Sequence, residues 1–140
     1  MPLPLGTIKH WPGNVTLPDS TSLKAVLTLS QADNTASALE KTARTLNLAE
    51  YAGITTVQLK LLLSGPAAQL ANTSSALYVA HQTTLSTLYS AGIEVAVCSQ
   101  ALASQSILPA QVAPGVTVVL SALTSSIDWQ QQGFALLPQD

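Results

Sequence analysis

The chain carries one cysteine, and its position raises a chemical question. Cys98 closes the β-branched run "IEVAVC" and is followed at once by Ser99 and Gln100. The pattern places it at the carboxyl end of a strand, just before a short helix, "QALASQSI". Backbone N–H groups and the positive end of a helix dipole favour a thiolate at such a point. A thiolate there can attack an electrophilic sulfur, take on a persulfide or form a mixed disulfide. The same cysteine also reads as a small buried hydrophobe, the usual state of a free cysteine. Residue type and position leave both readings open.

A second candidate is the loop "SGPAAQL", residues 64–70, expected at the same sheet edge. Gly65 lets a backbone approach a ligand, and the amides after it can hold an anion. An ordinary strand-to-helix turn explains the same residues. Ser64, Gly65 and Ser99 are therefore the ligand-binding candidates around Cys98. His81 lies on an expected helix and has the chemistry of a base, although a half-buried polar role is commoner for such a residue. His10 sits in an irregular segment and has less to recommend it. Asp128 and Trp129, in "SSIDWQQQG", read as the polar face and the core anchor of a helix.

The absences narrow the chemistry. The first strand is followed by "SQADNTAS", not by G-x-G-x-x-G. Neither a P-loop nor a G-x-S-x-G elbow is present. Two histidines and one cysteine cannot build a zinc site of the usual spacing, so neither metal nor cofactor is expected. The five cations, Lys9, Lys24, Lys41, Arg44 and Lys60, are scattered and the net charge is −2. That distribution disfavours nucleic acid and anionic membranes. No run reaches about 18 apolar residues, so no membrane span is expected. The opening "MPLPLGTIKHWPGNV" lacks signal-peptide features. A single cysteine cannot form an internal disulfide, which suits a reducing, cytoplasmic setting.

These side chains need elements to hold them. The 140 residues suit one domain with a real core. Residues 1–21, rich in Pro and Gly, read as an extended arm, and Trp11 within it needs cover from the body or a neighbouring subunit. Residues 22–140 read as a single α/β domain. Strands are expected at 23–30, 55–65, 93–99, 116–121 and 134–137. Helices fall between them. In the first, Ala36, Leu39, Ala43, Leu46 and Ala49 mark one face, with Asp33 or Asn34 as cap and Gly53 as terminator. Val57, Leu59, Leu61 and Leu63 share one face of the second strand, and Pro66 suits the first turn of a helix after it. The alternation specifies an α/β/α three-layer sandwich around a mostly parallel five-stranded sheet. Only 9 % of residues are charged, against about a quarter in an ordinary domain. So sparse a charge hints at self-association.

Laid out in this order, the chain resembles the DsrE/DsrF-like (DsrEFH-like) family of small α/β proteins, from about residue 23 to 138. The matching pieces are "KAVLTLS", "LKLLLSGPAAQL", "GIEVAVCSQAL", "LPAQVAPGVTVVLSA" and "IDWQQQGFALLP". The resemblance implies the three-layer fold and assembly into trimers or hexamers. In the sulfur-relay members it implies a cysteine after the third strand that carries sulfane sulfur as a persulfide, exchanged between donor and acceptor proteins. Cys98 stands at that position. Many members have His-Gly after the second strand, where this chain has Ser64-Gly65. The expected function is a sulfur carrier, at most sulfurtransferase-like. The alternative is a non-catalytic oligomeric module that binds a small ligand or partner, with a structural cysteine.

Overall fold

Strands apolar on both sides have to be covered on both sides, and the structure shows how this chain does it. The computed structural model describes residues 2–14, 16–18 and 21–140. Residues 1, 15, 19 and 20 of the expected arm lie outside the described residues. The elements run β1 (Leu23–Leu29), α1 (Thr35–Tyr51), β2 (Val57–Leu63), α2 (Ala76–Ser90), β3 (Glu94–Cys98), α3 (Ser99–Ser104), β4 (Thr117–Val119), α4 (Ala122–Gln131) and β5 (Ala135–Pro138). Single-turn 3-10 segments precede α1 and β4, and a longer one, Gly65–Ala71, carries Pro66 in its first turn.

The sheet order is β4-β3-β2-β1-β5, and every pairing is parallel. This order explains the layers. From β1 to β4 the chain steps across the sheet in one direction, then returns from one edge to the other to place β5. Right-handed crossovers put helices on one face for the outward steps and on the opposite face for the return. Accordingly α1, α2 and α3 bury residues in one cluster, with Leu27, Leu61 and Val95 in register across the sheet and Leu29, Leu63 and Val97 above them. Alone among the helices, α4 packs on the other face, where Trp129 and Phe134 cover Val26, Leu62 and Ala96. Each fully buried Leu of this kind stabilises the fold by about 1.5–3 kcal/mol over exposure. Lys60 runs under the same helix, 2.5 Å from the Glu94 carboxylate and about 5 Å from the Trp129 and Phe134 rings.

The helix stripe expected on α1 is right at Leu39, Ala43 and Ala49, and Leu46 is half-buried. It is wrong at Ala36, which is exposed, while Thr42 and Asn47 are buried in its place. Thr42 satisfies its hydroxyl on the Ala38 carbonyl. Asn47 serves the arm. Its Oδ1 accepts from Leu3 N at 2.7 Å, and its Nδ2 donates to the carbonyls of Leu3, Leu5 and Gly6. The arm thus packs on the body through residues 3–6. Trp11, by contrast, is left 77 % exposed.

Candidate functional site

In an all-parallel sheet every strand ends at one edge, and the residues singled out as chemistry lie there. Cys98 is the last residue of β3, beside Val119 of β4, and holds the N-cap position of α3 with extended backbone. It is only 6 % exposed and belongs to the same buried cluster as Val97, Ala101 and Leu102. The helix behind it is six residues long.

Ser99 does not face a ligand with a free hydroxyl. Its Oγ donates to the Leu120 carbonyl at 2.7 Å and so ties the start of α3 to the end of β4. Ser64 is extended, and its amide donates to Leu29 O at 3.0 Å. The next amide expected to hold an anion, Ala67 N, donates to Ser30 O at 2.9 Å. Gly65 takes φ +48°, a left-handed conformation that favours glycine. Its carbonyl accepts from Gln105 Nε2 at 2.7 Å, Gln105 Oε1 accepts from Gln69 Nε2, and Gln69 Oε1 accepts from Asn72 Nδ2. This chain of amides fastens the turn after β2 to the end of the helix that begins beside Cys98. Sequence reading missed Gln69, Asn72 and Gln105, because single amides in a mixed segment carry no periodic or motif signal.

A second polar convergence at this edge was also unforeseen. The Asp140 carboxylate accepts from Ser30 N at 2.8 Å, from Ser30 Oγ at 3.1 Å and from Gln31 N. Asn34, one of the two residues expected to cap α1, holds the N-cap position without a side-chain cap hydrogen bond. Partial burial pushes the Asp140 pKa up, but the Gln31 and Ser30 amides, the Ser30 hydroxyl and Asn34 outweigh it, and the carboxyl titrates below its ordinary range.

The remaining candidates lie elsewhere. His81 is half-exposed on α2, and His10 in the arm meets the Tyr51 hydroxyl at 3.1 Å. Trp129 is buried as the anchor of α4, and Asp128 accepts from Gln132 at the surface. A cleft of about 500 Å³ between arm and α1 is lined by Leu3, Ile8, Asn47 and Tyr51. Because α1 leads away from the carboxyl edge, this cleft lies at the opposite edge of the sheet. Among the described residues no three His, Cys, Asp or Glu side chains could together hold a metal ion. No helix among them is long and apolar enough to cross a membrane.

Comparison with known proteins bears on fold and family. The model of the DsrE/DsrF-like family matches residues 24–138. A protein of unknown function from Methanobacterium thermoautotrophicum, MTH1491, superposes with a TM-score of 0.68 at 17 % identity, covering 84 % of this chain and 99 % of that one. The ychN protein of E. coli superposes with a TM-score of 0.61 at 16 % identity, covering 83 % of this chain and 98 % of that one. No curated protein matches the sequence significantly. At these identities the structural likeness speaks to the fold alone.

Proposed function

Because the chain belongs to the DsrE/DsrF-like family, which suggests sulfur relay at the family level, we propose that Cys98 carries sulfane sulfur as a persulfide. The observation that supports this reading is position: the only cysteine stands at the carboxyl end of the third parallel strand, where a helix begins. The Cys98 thiolate attacks the outer sulfur of a donor persulfide. A new S–S bond forms to Cys98, the donor's S–S bond breaks, and the donor leaves as a thiolate. An acceptor thiolate then attacks the outer sulfur and returns Cys98 to its starting state. No net oxidation occurs, and no metal or cofactor is required. A reducing compartment keeps Cys98 available as a thiol between cycles.

Burial sets the condition for this chemistry. A thiol that is 6 % exposed reacts through states in which its cover opens. α3, which follows Cys98 directly and shares its buried cluster, is short and held at its far end by the Gln105–Gly65 hydrogen bond. The same burial is the specific observation that favours the second reading, a binding module in which Cys98 is only core.

Intact-mass measurement after incubation with a small-molecule persulfide donor separates the two readings. The carrier reading expects one added sulfur atom on the native protein and none on Cys98→Ala. Native protein that stays unmodified while folded would rule the carrier out. As the second part of the proposal, the protein assembles with copies of itself, as a trimer or hexamer. The exposed apolar residues Val118, Leu120, Leu123 and Ile127, on and after the edge strand β4, support it.

A further inference from the structure

We propose that the Ser30–Gln31 turn is a carboxylate-binding site that the chain fills with its own Asp140. Two successive amides, Ser30 N and Gln31 N, converge on one carboxylate oxygen, and the Ser30 hydroxyl takes the other. Both oxygens are therefore recognised, by donors alone, in the arrangement a bidentate anion requires.

The backbone does not need this contact to complete the sheet. The last rung between β5 and β1 is made by Gln139 N on Thr28 O at 2.8 Å. Beyond that rung the Asp140 side chain, not its backbone, takes the amides of β1's continuation. An exposed residue thus supplies a ligand in cis to donors fixed by the body of the fold.

The donors are fixed independently of Asp140. Ser30 O accepts from Ala67 N at 2.9 Å, and the Gly65 turn lies against it so closely that a Cβ on Gly65 would come within 3.3 Å of that oxygen. Gln31 O is held by Asn34 N at 3.1 Å. A site of this kind persists when its occupant leaves.

The ligand class is a small molecule bearing a carboxylate, the group whose geometry the donors already fit. It enters by displacing the Asp140 side chain, which acts as a tethered competitor whose effective concentration sets the affinity seen from solution. This inference stands apart from the Cys98 proposal, and loss of one leaves the other intact.

Acetate is the probe, titrated against chloride at equal ionic strength into native protein, Asp140→Ala and Asp140→Asn, with the Ser30 and Gln31 amides followed by ¹⁵N–¹H NMR. In Asp140→Ala those two amides are expected to shift saturably with acetate and not with chloride. Native protein is expected to need at least tenfold more acetate for the same shift, with Asp140→Asn between the two. An Asp140→Ala protein whose Ser30 and Gln31 amides ignore acetate would overturn the proposal. Equal acetate affinity in native and variant protein would do the same. Loss of the folded spectrum in both variants would also overturn it, by making Asp140 a structural clamp.

Discussion

A single amide side chain, Asn47, satisfies four polar groups of the arm, and a single glycine lets the arm come near enough to use it. Gly6 has φ +75°, and a Cβ there would lie 2.3 Å from the Arg44 backbone nitrogen, on a helix that cannot give way. Gly6→Ala is therefore expected to lift the arm from α1 and cost about 1–3 kcal/mol. Loss of several degrees in Tm, with new protease cleavage within residues 2–14, would show it. An unchanged Tm with a protected arm would count against it. The residue scale is also where the sequence was least legible. The placement of Cys98 at a strand end could be read from its β-branched neighbours. Its burial could not, since the apolar cluster it joins, with Ala101, Leu102 and Ile107 among its members, is assembled only in the folded chain. Asn47 gave no signal because its partners lie more than forty residues earlier, and Asp140 was silent because Ser30 is 110 residues away.

Helix ends show how local chemistry reaches the element. α1, α2 and α4 each stop at a glycine in left-handed conformation, Gly53, Gly92 and Gly133, with the next amide reaching back five residues into the helix. The sequence reading placed the first of these stops at Gly53, because glycine after an apolar periodic run is a strong stop signal. α3 closes by the same pattern with a different residue. Ser106 takes φ 56°, Ile107 N bonds Leu102 O, and Ser106 N bonds Ala103 O. A side chain in that conformation costs about 1 kcal/mol relative to glycine. Ser106→Gly should accordingly stabilise the protein by about 0.5–1 kcal/mol. A chemical-denaturation midpoint that does not rise would show that the αL position carries no strain. The same substitution should also slow thiol labelling of Cys98, if α3 is the element that opens to expose it. Strand ends were read too generously: β2 spans 57–63 rather than 55–65, and edge strand β4 pairs over 117–119 rather than 116–121.

At the scale of the molecule, the alternation of strand and helix patterns was enough to specify a parallel sheet between helices. Strand order was not legible. Nothing in "FALL" says that it lies beside the first strand, and the uneven layers, three helices against one, follow from that order alone. The uneven cover leaves Leu123 and Ile127, four apart on α4, at 79 % and 56 % exposure, close in sequence to exposed Val118 and Leu120. If these residues join copies of the chain, Leu123→Asp with Ile127→Asp should convert the assembly to monomer by light scattering without loss of helical signal. An unchanged mass, or a native protein already monomeric, would refute that interface. The strand order also has a consequence in time. β1 is made early, yet its outer edge is closed by β5, 110 residues later in register. At ribosomal rates of about 5–20 residues per second, the open edge waits on the order of ten seconds for its partner. During synthesis the first strand is thus an unsealed seam, and the last strand is the stitch that takes it out of reach of other nascent chains.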